Sequence, residues 1–263
     1  MNAWLHAEMG LVNIGINFTS MVAAGGVVTL AYLVYGMTGF GSSIVAIPML
    51  TQLVPLRTAT PVMLILDLAA GMLVGMRNLK AVQMKELQRL GPWICIGLVL
   101  GVTVLVSVSE KPLELLLGVC LLAYSLWRIK SRGEFRQIGD GWALPLGFSG
   151  GCLTAVFGTG GPVYTIYLAG RLTDPEQRRA TISTLITLTA VARLLLFSIS
   201  GLYRNPAVLP LAGWLLPCGA MGLAVGARLR NKIPTSSVLT LLWIVLIVAG
   251  VNLIGRSAIG YLG

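Results

Sequence analysis

Residues 142–170 read WALPLGFSGGCLTAVFGTGGPVYTIYLAG. A straight membrane span needs about 20 apolar residues, so this run of 29 is too long for one crossing and short for two. It holds two glycine clusters, Gly147-Phe-Ser-Gly150-Gly151 and Gly158-Thr159-Gly160-Gly161-Pro162. Interior glycine costs a helix about 1 kcal/mol relative to alanine, and a straight helix has no use for such clusters. The stretch predicts a hairpin of two short helices meeting at a glycine-rich bend. Residues 20–56 are the same kind of text, with Gly36-Met-Thr-Gly39-Phe-Gly41-Ser42-Ser43 ahead of Pro48.

Outward from these two stretches the chain is apolar almost throughout. Of its 263 residues, 56% are hydrophobic and 11% charged, with 32 glycines and a mean hydropathy of +0.85. Soluble domains carry about 25% charged residues, so a soluble globular domain, a disordered chain and a hydrated nucleic-acid binder are excluded. The expected class is an all-α polytopic membrane protein with about eight hydrophobic segments: 20–56, 58–76, 90–109, 112–127, 142–170, 180–203, 206–227 and 235–255. No separate soluble domain is expected. Cys95, Cys120, Cys152 and Cys218 form no C-x-x-C pair and read as small buried hydrophobes. His6 is the only histidine, which leaves no histidine metal site or general base in the spans. The opening MNAWLHAEMG lacks the basic flank of a cleaved signal peptide.

The net charge of +10 decides the topology. Lys and Arg in short loops stay cytoplasmic. With every segment crossing once, the positives divide ten to eight, which is no bias. With 142–170 turning back, loops 77–89, 128–136, 171–179 and 228–232 collect 14 on one face. The other face keeps four, Arg57, Lys111, Arg204 and Arg256, and Arg193 lies within a span. The hairpin is therefore expected, with the four basic loops cytoplasmic and the C-terminus periplasmic; no Lys or Arg precedes the first hairpin, so the likeness of the two halves alone puts the N-terminus on the periplasmic side too.

The halves resemble each other. Gly39-Phe-Gly41-Ser42 parallels Gly158-Thr-Gly160-Gly161, and Arg57-Thr-Ala59-Thr60 parallels Arg178-Arg-Ala180-Thr181. The expected organisation is a repeat over 1–136 (hairpin 20–56; spans 58–76, 90–109, 112–127). A second over 137–263 (hairpin 142–170; spans 180–203, 206–227, 235–255) completes one membrane domain. Three crossings after each hairpin make the two repeats inverted.

Inverted repeats with broken helices place transporter sites near the midplane. Helix N-termini carry unsatisfied N–H groups and partial positive charge, and glycine lets a ligand approach them. The two breaks would thus gather Gly39, Gly41, Ser42, Ser43, Gly158, Thr159, Gly160 and Gly161 around an anion. Scattered glycines such as Gly97, Gly101, Gly222 and Gly226 read as helix packing. Two charges lie deep in spans, where charge is costly and functional or paired. Arg193 suits a planar oxyanion, bound through two hydrogen bonds. Asp67 reads either as a proton carrier or as the counter-ion of Arg193, and a purely structural pair is the alternative. Ser183 and Thr187 are weaker candidates, as are Tyr164 and Tyr167, which would wall the cavity.

The small size, the half-repeats and the Gly-x-Gly-small motif in each half resemble the TauE/SafE-like sulfite exporter (TSUP) permeases. Those motifs stand here as Gly39-Phe-Gly41-Ser42-Ser43 with Pro48, and Gly158-Thr-Gly160-Gly161-Pro162. The resemblance covers nearly the whole chain and implies a bacterial inner-membrane permease for sulfite, sulfonates or other small organosulfur or carboxylate anions. The sequence departs from the family at Ser42-Ser43, where further glycines are common, and at Tyr167, where proline is frequent.

The resulting expectation is a secondary carrier, an exporter, moving one repeat against the other around the hairpin tips. A passive anion channel is the alternative. No enzyme is expected: Gly147-Phe-Ser149-Gly150 matches rhomboid-protease text but has no later histidine, and Gly158-Thr-Gly-Gly-Pro lacks a P-loop lysine. Neither cofactor nor metal is expected, and Asp67 leaves coupling to H⁺ or Na⁺ open. The expected partners are a small anion and the lipid bilayer, not nucleic acid. Export or uptake, and oligomeric state, are not readable from one sequence.

Overall fold

The glycines and prolines that interrupt the apolar text set the helix ends. The computed structural model describes residues 17–38, 41–74, 81–130, 137–230 and 235–262. Gly39, Arg77, Lys80, Arg132, Arg136 and Lys232 lie outside the described residues. Among the described residues ten α-helices follow in order: α1 (Phe18–Thr38), α2 (Ser42–Leu50), α3 (Leu56–Val74), α4 (Met84–Ser107), α5 (Glu110–Lys130), α6 (Ala143–Phe157), α7 (Gly161–Arg171), α8 (Pro175–Ile199), α9 (Val208–Leu229) and α10 (Thr235–Leu262). No strand occurs among the described residues. Helices α1, α4, α8 and α9 are each long and apolar enough to cross a membrane.

Two left-handed glycines punctuate the hairpins. Gly158, at φ +67°, ends α6, and α7 begins three residues later with Pro162 in its first turn. Gly41, at φ +100°, opens α2. A residue with a Cβ adopts this backbone only at a cost, so the bends are written by composition. Helix α8 starts further upstream than the apolar text suggests, because the Asp174 carboxylate accepts from Glu176 N–H and Pro175 takes the first helical position. Arg193 consequently sits two turns from the C-terminal end of α8 rather than at its centre. Helix α4 likewise begins before position 90, and its polar first turns are held by ion pairs.

Packing between helices runs through small residues. The three most extensive helix contacts are α4 with α6, α1 with α9, and α5 with α10. Gly97 and Gly101 of α4 face the backbone of Phe148 and Cys152 in α6. Gly222 and Gly226 of α9 face the carbonyls of Thr29 and Leu33 in α1. Gly118 and Gly250 bring α5 against α10. Such contacts suit a bilayer, where close van der Waals fit drives helix association. Outward faces carry exposed Ile96, Val99, Leu188, Val191 and Leu195, an apolar surface fit for lipid.

The two ends of the bundle are tied differently. At one end Arg171, closing α7, pairs with Glu86 at 3.0 Å and Asp140 at 2.6 Å, and Arg89 reaches the same two carboxylates. Ile138 N–H donates to the Gly170 carbonyl at 3.2 Å. Segment 142–170 thus enters and leaves at the same end. At the other end Arg57 donates to the carbonyls of Leu105 and Val108, both at 2.9 Å. The Glu110 carboxylate accepts from the N–H groups of Leu56 and Arg57 that open α3. Asn205 with Thr58 and Asn252 with Gln52 complete that end.

The cysteine expectation needs correction in part. All four thiols are free, but Cys95 is exposed and the other three are half-buried. In an apolar solvent a thiol gains little by hiding, so α4 can turn Cys95 outward.

Candidate functional site

A cluster of polar groups lies where α2 meets α1 and α3, around the half-buried Asp67. Asp67, eleven residues into α3, accepts three hydroxyl hydrogen bonds. Tyr32 of α1 and Ser42 of α2 donate to Oδ1 at 2.6 and 2.7 Å, and Ser43 donates to Oδ2 at 2.6 Å. Ser42 and Ser43 are each 5% exposed. They open α2 just after the left-handed Gly41, which places both hydroxyls on the α3 side.

The second hairpin tip touches the first. At Gly158 a Cβ would lie 3.0 Å from Ser43 Oγ and 3.4 Å from Arg193 Nη1. The missing side chain of Gly158 therefore lets Ser43, at the edge of the Asp67 cluster, and the guanidinium converge on one point. Arg193 is 3% exposed, yet its Nε and Nη2 have no hydrogen-bond partner. Its Cζ stands 5.1 Å from the centre of the Phe197 ring. The Tyr203 hydroxyl is also buried without a partner, and its ring neighbours that of Phe197 at 6.4 Å. Asp67 and Arg193 do not form an ion pair; the carboxylate is occupied by hydroxyls.

A buried guanidinium with two open donors is unusual, because each unsatisfied polar group costs about 1–3 kcal/mol. The open edge, Nε with Nη2, is the side of the fork that takes two oxygens of one oxyanion. The site as it stands offers a cation and a phenol hydroxyl to a ligand, beside a carboxylate whose acceptor capacity is in use.

The remaining candidates divide. Thr159 is buried at the second tip, next to Gly158. Gly160 is needed for packing, since a Cβ there would strike the Thr154 hydroxyl. Gly161 faces open space apart from Ile186 at 4.0 Å. Tyr164 is 1% exposed and shares a 2.7 Å hydrogen bond with Thr154, whose hydroxyl donates to the Gly150 carbonyl; it braces the hairpin from within. Tyr167 donates to Glu86 Oε2 at 2.7 Å, in the ion-pair cluster at the hairpin's ends. Ser183 is exposed, and the Thr187 hydroxyl donates to the Ser183 carbonyl at 3.0 Å, so neither joins the tips. Ser149 donates to the Pro145 carbonyl at 2.6 Å, a helix-internal bond.

Sequence reasoning missed Tyr32, Tyr203 and Glu86. A tyrosine inside a span needs a hydroxyl partner, which was the available signal for Tyr32. Tyr203 follows the last turn of α8 and gave no signal. Glu86, 7% exposed, hid among the charges opening α4. Its hydrogen bond to Arg171, aided by the Glu86 and Asp140 charges, raises the Arg171 pKa above its ordinary value.

A bundle of apolar helices with broken hairpins and a lipid-compatible surface defines a helical, multi-pass membrane protein. The sequence pattern described as "Sulfite exporter TauE/SafE" matches residues 23–253, and the chain belongs to that family of membrane transporters. Among curated proteins it is similar to the "Probable inner membrane transporter protein TsaS" of Comamonas testosteroni, 28% identical over 196 residues, covering 72% of this chain and 80% of the relative. No solved structure matches.

Proposed function

We propose that the protein is a secondary transporter of small anions such as sulfite, sulfonates or other organosulfur or carboxylate anions. The anion is held between the two hairpin tips and moved by alternating access. The observation that carries this reading is Arg193, buried beside Gly158 with Nε and Nη2 unpartnered. A cation left unsatisfied inside a membrane protein is a ligand site in waiting. Around it the reading gathers the helix N-termini at Gly41-Ser42-Ser43 and Gly158-Thr159-Gly160-Gly161.

The same reading takes residues 1–136 and 137–263 as inverted repeats. Reciprocal packing supports it: α1 lies on α9 and α6 on α4, so the first helix of each half packs against the fourth of the other. The G-x-x-x-G pairs at Gly97/Gly101 and Gly222/Gly226 fall on those equivalent helices. In the inner membrane, the Glu86–Arg171 end would face the cytoplasm and the Arg57–Glu110 end the periplasm, as the positive residues require.

The test is flux in proteoliposomes, after a thermal-shift screen with sulfite, thiosulfate, sulfonates and small carboxylates. R193Q abolishes both flux and ligand-induced stabilisation while the protein still inserts and purifies. Unchanged flux in R193Q removes Arg193 from the site, and single-channel conductance replaces the carrier with a pore.

A further inference from the structure

We infer that anion binding at Arg193 is linked to protonation of Asp67, with the Ser43 hydroxyl as the shared element, so that each monoanion is carried with one proton. The inference rests on the anion site proposed above and deepens it.

A hydroxyl has one proton to donate. Those of Tyr32, Ser42 and Ser43 are all spent on Asp67, an arrangement that fits an acceptor-only carboxylate. Ser43 Oγ and Arg193 Nη1 also converge on Gly158, 3.0 and 3.4 Å from where its Cβ would stand. An anion arriving at the guanidinium thus meets a serine whose proton is already committed. Once Asp67 is protonated it becomes a donor itself, and Ser43 is released to donate to the anion.

Charge balance points the same way. The empty site holds one cation and one carboxylate. A bound monoanion would leave it net negative in a buried setting, and a proton on Asp67 returns it to neutral. The titratable groups facing Asp67 are few. From α1 come Tyr32 and Tyr35, and from α8 comes Arg193. Helix α2 presents only hydroxyls. Glu110 lies at the distant N-terminus of α3, and the α9 basic residue, Arg228, is in its last turn. Asp67 is the group placed to take the proton.

Carrying H⁺ with a monoanion makes the cycle electroneutral, so the membrane potential stops favouring exit. Direction then follows the pH and anion gradients.

The experiment uses the purified full-length protein with methanesulfonate, whose charge does not change between about pH 5 and pH 8. Wild type is expected to bind about tenfold more tightly per unit of pH lowered, and to take up one proton per anion from weakly buffered solution. D67N binds with no pH dependence, and R193Q does not bind. Binding by wild type that is pH-independent and proton-silent, yet lost in R193Q, overturns the proton link and leaves the anion site standing. Failure of wild type to bind, or equal binding by R193Q, overturns the anion site and the link with it. Proton uptake is read on wild type alone, so the result does not depend on D67N folding.

Discussion

Replacing Arg193 with methionine separates a binding residue from a structural one, because the two roles predict different changes in stability. Arg193 is 3% exposed with Nε and Nη2 unpartnered. Relieving two unsatisfied donors returns about 2–6 kcal/mol. Against this stands the loss of the guanidinium over Phe197, about 0.5–2 kcal/mol. The attraction of Asp67, which Ser43 links to the Gly158 tip, adds about 2 kcal/mol for a separation of roughly 8 Å at an effective dielectric near 20. Methionine has similar length and fills the space. The expected R193M protein therefore lies between about 2 kcal/mol less stable and about 3 kcal/mol more stable than wild type, a melting shift between roughly −8 and +12 °C. Were Arg193 instead half of a structural pair, its removal would cost about 3–5 kcal/mol. Thermal melting of detergent-purified protein, read by the monodisperse fraction after heating, decides between them. Ligand-induced stabilisation should vanish in R193M at the same time. A melting point lowered by ten degrees or more refutes the reasoning.

Three further outcomes follow from the packing. G222V drives a side chain into the Thr29 carbonyl across the α1–α9 contact and should cost at least about 1–3 kcal/mol, whereas G213A, with nothing within 4 Å, should be neutral or gain up to about 1 kcal/mol; melting curves compare them. E86Q removes the charge that holds Arg171 but leaves an acceptor for Tyr167, and should lower stability by about 1–2 kcal/mol, discounted because Arg89 and Asp140 are partly exposed; increased proteolysis between α7 and α8 would report the loosened hairpin end. G158A and G201A both place alanine at positive φ, a strain of about 1–2 kcal/mol, but only G158A also meets Ser43 and Arg193, so its excess melting loss over G201A measures tip packing; equal losses would reduce the tip contact to backbone strain.

What the sequence disclosed was local or compositional. The bend at Gly158-Thr159-Gly160-Gly161-Pro162 is legible because glycine and proline act on their own backbone. The packing role of Gly97, Gly101, Gly222 and Gly226 is legible because only small residues let helices approach in lipid. Arg193 stands out as a charge in an apolar run, and it is buried. Partnerships between distant elements were not legible. Tyr32 reaches Asp67 across 35 positions and Tyr167 reaches Glu86 across 81, and neither distance leaves a spacing rule. Glu86 looked like part of a solvated loop because cutting the chain at charges ended the segment at position 90. The amphipathic start of α4 was thereby hidden.

The helix pairing also bears on which parts can move. A rocking of residues 1–136 against 137–263 would have to separate α1 from α9, α4 from α6 and α5 from α10. Those are the three most extensive contacts in the molecule, with glycine against backbone in each. Close-packed surfaces of that kind are bistable at best and do not slide gradually. The pairs α1–α9 and α4–α6 are better regarded as the bodies, each built from both halves. Each hairpin then travels with a helix of the opposite half: α6 and α7 with α4, to which Glu86 and Arg171 also tie them, and α1 and α2 with α9, on which α1 packs. Between these bodies, at the tips, the contact is slight: Ser43, Gly158 and the Arg193 guanidinium. A small relative shift there changes the distance from hydroxyl to cation without unpacking a helix. A slight contact between the hairpin tips thus lies beside the unsatisfied charge, which is where an anion that joins the two tips would have leverage.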